Sequence, residues 1–156
     1  LKLIDGLDAL IDACDGHTAD LLIMNGTLRL RLIASLRQQK MFATDKDSFG
    51  RVIYRYGEGG PEIVNAGPKA DQTTEIIGNV ELTNGTAITG GAATSIYAVK
   101  LAPMKYLQGI QEYALRTADL GELEAKPVYR VRVDWPVGIA LINPRSIARA
   151  CGIIAL

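Results

Sequence analysis

One histidine and two cysteines in 156 residues leave few of the groups from which catalytic and metal sites are usually built. His17 stands close to Asp15 and Asp20, but the segment lacks the further convergent ligands that a metal centre needs, so a plain loop histidine is expected. Ser35, Ser48, Ser95 and Ser146 all lack the context of an activated nucleophile, and only His17 is available to serve one as a base. Cys14 and Cys151 lie near opposite ends of the chain with no ligand-spaced neighbours, and two buried thiols in a reducing compartment are expected. No catalytic residue, metal or cofactor is expected.

Charge of one sign is also lacking. Lys and Arg total 17, as do Asp and Glu; the count is nine against nine through Ala70 and eight against eight after it. That balance excludes a global field drawing in nucleic acid or an anionic membrane. With two Phe and one Trp, a base-stacking platform is not expected either, although Arg29, Arg31, Arg37 and Lys40 form a local basic patch. No apolar run approaches the ~20 residues that span a bilayer. Asp5, Asp8 and Asp12 interrupt the N-terminal segment where a signal peptide would be apolar, so an intracellularly assembled protein is expected. The chain opens at Leu1 rather than Met, as the trimmed or ordered part of a longer product would.

Two glycine clusters, Gly57-Glu58-Gly59-Gly60 and Gly85 to Gly91, are not followed by the Lys-Ser/Thr of a phosphate loop, so turn chemistry explains both. Glu122 and Glu124 share a strand face at i and i+2, yet nothing fixes a substrate between them.

What is present is periodicity. Ile4, Leu7, Ile11 and Cys14 recur at helical spacing, with Asp5, Asp8, Asp12 and Asp15 on another face. Residues 20–25 read as a short buried strand. A second helix is expected after Asn25 through Leu28, Leu32 and Leu36, basic wherever it meets solvent. Val52–Tyr54 and Glu62–Val64 suit a hairpin with a Gly-rich turn, 75–80 a strand and 83–94 a loop. Ser95–Leu101 reads as a strong strand, and 109–115 as either strand or short helix. The clearest pattern is Lys126–Trp135, where Val128, Arg130, Arg132 and Asp134 face one way and Tyr129, Val131, Val133 and Trp135 the other. Pro136 breaks that strand, Val137–Ile142 resumes as a core strand paired with it, and Asn143-Pro144 opens a last helix, Arg145–Ala150. The expectation is an α+β fold with a central mixed or antiparallel sheet flanked by helices.

Three stretches carry a resemblance to a known family: Ala19–Asn25 leading into the Arg-bearing helix, Ala118–Trp135, and Gly138–Arg149. In their order the chain resembles the C-terminal portion of the major capsid protein of tailed bacteriophages and related prophages, over most of the 156 residues. The resemblance implies the capsid fold, with peripheral-domain and axial-domain segments interleaved, and places the N-terminal arm, the extended loop and most of the spine helix outside this chain. It implies a non-enzymatic, self-assembling subunit of an icosahedral shell enclosing DNA, assembled in the bacterial cytoplasm. The implied partners are copies of itself in pentamers and hexamers, with scaffolding and portal proteins, and neither specific nucleic-acid recognition nor a membrane. Its subunit-contact candidates are Arg29, Arg31, Arg37, Glu122, Glu124, Arg130, Arg132, Arg145 and Arg149. Gly26–Arg31 is less basic than the family places there, and no Lys–Asn pair is placed for crosslinking. The competing expectation is a small ligand-binding or enzymatic α+β domain, whose mark would be a deep apolar pocket near His17 or Gly57–Pro61.

Overall fold

The computed structural model describes residues 3–40, 42–81, 93–123 and 125–154. Helix α1, Leu3–Asp12, buries Leu7 and Leu10, and the chain then turns through Asp15–His17. Lys100 clamps this turn: its Nζ donates to the Asp15 carbonyl at 2.7 Å and to Thr18 Oγ1 at 2.6 Å. His17 sits on the outside, 2.7 Å from an Asp12 carboxylate oxygen. Cys14 is fully buried, which raises its thiol pKa, whereas Cys151 is exposed; the expectation of two buried thiols fails for the second.

Strand β1, Leu21–Met24, leads into helix α2, Gly26–Gln38. The helix begins where expected because Asn25 caps it, its Oδ1 accepting from the Leu28 N–H at 2.8 Å. Leu28, Leu32 and Leu36 form the buried side. Strands β2, Phe42–Lys46, β3, Val52–Tyr56, and β4, Glu62–Asn65, follow as a meander, and the Gly-rich turn between β3 and β4 is where the sequence puts it. Strand β2 has no counterpart in the sequence reading, since Phe-Ala-Thr-Asp-Lys carries little alternation.

The 75–80 segment is not a strand. Glu75 makes one bridge to Pro68, and its carboxylate accepts from the Gly26 N–H at 3.2 Å, meeting the positive end of α2. Just before it, Asp71 closes a turn by accepting from the Thr74 hydroxyl and from the Thr73 and Thr74 N–H groups, which hold its carboxyl down to about 2. Of the expected 83–94 loop, 83–92 lies outside the described residues. Ala93 and Thr94 instead open strand β5, Ala93–Val99.

Beyond β5, the 109–115 segment left open as strand or helix divides: 109–111 end strand β6, Leu107–Gln111, and 112–115 are a bend leading out of it. Strands β7, Arg116–Leu123, β8, Lys126–Asp134, and β9, Val137–Leu141, come next. Here β9 pairs with β6 and β8 with β7, so β8 and β9 are successive parts of one ribbon edge rather than partners of each other. The expected final helix is also corrected. Pro144–Ser146 makes a single 3-10 turn capped by Asn143, and Ile147–Ile154 is strand β10, paired antiparallel with β5. The free edge of β5 supplies hydrogen-bond partners, and the alternation Ile147, Arg149 against Ala148, Ala150 fits a ladder, so tertiary pairing outweighs the helical cue of Asn-Pro.

The result is a six-stranded mixed sheet in the order β10-β5-β1-β4-β3-β2, with β1 and β4 parallel. Both helices pack on one face of it, where Leu22, Ile63, Ile96, Ala98 and Tyr56 meet Leu7, Leu10, Leu28, Leu32 and Leu36. The expected central sheet and flanking helices are present; the parallel pair makes the sheet mixed.

Tyr56 ties this core to α1, its hydroxyl donating to Asp8 Oδ1 at 2.7 Å. Burial, and next that hydrogen bond to a carboxylate, push its phenol well above the usual value near 10. A raised folded pKa means that this contribution is complete below about pH 10 and is lost as the pH climbs through the raised value. Tyr56→Phe is expected to lower stability by about 1 kcal/mol at neutral pH, because exposed Asp8 regains water. A urea midpoint measures that loss, and an absorbance titration that loses its highest step in the Phe variant would assign the raised phenol to Tyr56.

Candidate assembly surface

Residues 107–141 leave the six-stranded sheet after β5 and return before β10 as one long two-stranded ribbon. Its base is β6 with β9, Leu107 opposite Leu141, and its outer part is β7 with β8, Arg116 opposite Asp134. Near the tip the register shifts around Gly121, whose φ is 71° and whose N–H donates to Asp119 Oδ1 at 2.9 Å. Such a bulge increases the local twist of the ribbon.

Among the described residues, nothing covers either face of this ribbon. Every alternate residue from Tyr129 to Leu141 is half or more exposed, with Tyr129 at 73 % and Ile139 at 78 %. Trp135 joins the two segments into a single stripe, since its Nε1 donates to Gln111 Oε1 at 3.3 Å and Gln111 is the partner of Val137. The other face carries Arg130 and Arg132, with Arg132 held to Asp134 at 2.6 Å. Isolated exposed apolar side chains are ordinary, but a continuous stripe marks an interaction surface. The alternation is legible in the sequence, but the expected core position of Val137–Ile142 is corrected: β9 lies outside the core.

The sequence candidates fall into separate groups. Arg29, Arg31 and Arg37 lie on α2. Arg29 is half-buried over the Tyr54 ring, 5.2 Å from its centroid, and its Nε has no hydrogen-bond partner among the described residues. It lines a cleft of about 340 Å³ with Asp47, Arg51 and Glu62. Arg31 is exposed beside a groove of about 510 Å³ between α1, α2 and β10. Glu122, Arg130 and Arg132 are exposed on the ribbon, and Glu124 lies outside the described residues. Arg145 is exposed on the 3-10 turn. Arg149 is engaged within the chain: it donates to Ser95 Oγ at 3.0 to 3.1 Å and lies 3.3 Å from Glu81. The grooves of about 500 and 510 Å³ are lined by residues other than His17 and Gly57–Pro61. Among the described residues no three His, Cys, Asp or Glu side chains are placed to hold a metal, and no helix is long and apolar enough to cross a membrane.

No protein-family model and no curated protein matches the chain. Among solved structures, the cryo-EM structure of the holo-SrpI encapsulin complex from Synechococcus elongatus PCC 7942 superposes over 97 % of this chain with a TM-score of 0.64 and 15 % identity. The chain has the encapsulin fold. Encapsulins share that fold with tailed-phage capsid proteins, so the fold implied by the sequence resemblance is the one observed. The chain spans about half the length of its encapsulin counterpart, 49 %.

Proposed function

We infer that this chain is a structural subunit that packs against copies of itself in a closed protein shell. The observation carrying this reading is the encapsulin fold over nearly the whole chain. The uncovered ribbon agrees with it, because a continuous apolar stripe calls for another protein surface. Zero net charge lets many identical copies approach without accumulated repulsion, and weak individual contacts multiply on closure.

In this reading the six-stranded sheet and its helices belong to the axial domain and the ribbon inserted between β5 and β10 to the peripheral one, so the two interleave along the chain. Arg31, Arg37, Glu122, Arg130, Arg132 and Arg145 serve as contacts between copies, each pair at the rim worth under ~1 kcal/mol. A phage-type capsid enclosing DNA, built of pentamers and hexamers in the bacterial cytoplasm with scaffolding and portal proteins, is the form the sequence resemblance favours. An encapsulin-type shell is the form the structural likeness favours. Light scattering after size exclusion at low and moderate salt, with negative-stain microscopy of the fractions, tests both. Rings or closed particles are expected, and DNA retained within them separates the two forms. A strict monomer at ~100 µM, far above the concentrations at which standard-size interfaces form, would overturn assembly by this chain.

A further inference from the structure

The apolar stripe of the ribbon is self-complementary. It runs from Tyr129 to Leu141 with Trp135 at its midpoint, so a two-fold axis through Trp135 lays Tyr129 over the second copy's Leu141 and Val131 over its Ile139. Seven large side chains, each half or more exposed, offer an area of the order of the ~800 Å² that each partner contributes to a standard interface.

Charge selects the antiparallel arrangement. On the stripe face of the tip, Glu122 pairs with Tyr129 and Asp119 with Val131, both acids exposed. Two ribbons laid tip to tip would set these carboxylates against their own copies. Laid tip to base, they meet a stretch whose β6 positions are Leu107, Gly109 and Gln111, preceded by exposed Lys105 with its Nζ 5.0 Å from the Tyr106 ring centroid. Shape agrees with charge. At the ribbon base, Leu101, Ala102, Pro103, Leu107 and Ile139 line an open apolar groove of about 500 Å³, and the tip carries the exposed aromatic ring of Tyr129. An aromatic anchor entering an apolar groove is the usual centre of a protein contact.

We propose that two copies of this chain pair face to face through their 107–141 ribbons, antiparallel about Trp135, with Tyr129 seated in the base groove of the second copy and Glu122 against its Lys105. The proposal rests on the reading that copies of the chain pack against one another, and it names the surface they use.

Trp135 is the chain's only tryptophan and sits on the axis, so its fluorescence reports the contact directly. Light scattering and Trp135 emission are to be followed from about 0.01 to 100 µM, which spans the micromolar and tighter affinities of interfaces of this size. The wild type is expected to form an even-numbered species whose emission moves to the blue as concentration rises. Val131→Glu and Ile139→Glu, both at exposed positions, are expected to weaken association at least ~10-fold while leaving the circular dichroism spectrum unchanged. Glu122→Lys is expected to weaken it several-fold, and Glu122→Lys with Lys105→Glu to restore it, which a merely sticky patch would not do. Oligomers unaffected by Val131→Glu and Ile139→Glu, with Trp135 still in water, would overturn the ribbon pairing and leave packing between copies standing. A wild type that stays monomeric with Trp135 in water would overturn both and assign the stripe to a covering segment of another protein. A dimer that never grows, abolished by Ile139→Glu, would uphold the pairing and overturn a closed shell built by this chain alone.

Discussion

Asn25→Ala is expected to cost about 3 kcal/mol, because one side chain serves three elements there. Asn25 is fully buried; its Oδ1 caps α2 at Leu28, and its Nδ2 donates to Asn79 Oδ1 and, at 3.3 Å, to Thr94 Oγ1 of β5. Loss of a cap alone costs about 1 kcal/mol. Alanine also strips the donor from Thr94, itself fully buried, and removes one of the links, beside Glu75 to Gly26, holding the 66–81 segment against the start of α2. An unsatisfied buried polar group adds about 1–3 kcal/mol. Asn25→Asp supplies the control. It keeps the acceptor for Leu28, and its charge suits the helix N-terminus, but it cannot donate to Asn79 or Thr94. Its loss should therefore fall between wild type and alanine. Urea unfolding of the three proteins gives the order, and equal stability of the alanine variant would mean that the polar cluster is replaced by water at no cost.

The same residue shows why some of the fold was legible in the sequence. Asn25 ends an apolar run and precedes leucines at 28, 32 and 36, so cap, periodicity and strand all agree locally, and β1 and α2 appear where they are expected. The glycines at 57, 59 and 60 likewise announce the β3–β4 turn. Local cues misled where a distant partner decided. Asn143-Pro144 does start a turn, but the residues after it become β10 because β5 presents an open edge, and that edge is set about 50 residues earlier in the chain. The segment 75–80 has the apolar residues of a strand, yet Glu75 is drawn to the N-terminus of α2, an attraction that no pattern within the segment encodes.

For the candidate surface the limit is different. Alternation along Lys126–Trp135 reports which side chains share a face, and the structure confirms a strand there. Alternation does not report what covers the face. Val137–Ile142 reads as core because apolar runs usually are core, whereas the ribbon carries it away from the six-stranded sheet. The family pattern places Arg149 among the subunit-contact candidates; pairing of β10 with β5 brings it to Ser95 and Glu81 of its own chain.

Gly60→Ala is the second large effect, and it differs in kind from its neighbours. Gly57 and Gly59 have φ of 75° and 70°, with open space where a Cβ would stand, so alanine there meets backbone strain of the order of 1 kcal/mol and no collision. At Gly60 a Cβ would lie 1.8 Å from the Tyr56 carbonyl oxygen. That atom is backbone and cannot swing aside. The turn must open, breaking the bond from the Tyr56 N–H to the Pro61 carbonyl at 3.0 Å and displacing the Gly60 carbonyl that accepts from Arg55 at 3.2 Å. The damage spreads inward, since Arg55 pairs with Glu62 and β4 is the parallel partner of β1 at the centre of the sheet. A loss of about 3 kcal/mol or more is expected, in the range reserved for backbone clashes and cores. Gly57→Asn should cost least of the set, because asparagine tolerates positive φ. The measured order of midpoints, Gly57→Asn above Gly57→Ala above Gly60→Ala, tests the turn geometry; a Gly60→Ala midpoint level with Gly57→Ala would show that the turn relaxes freely and that β4 is not held by it.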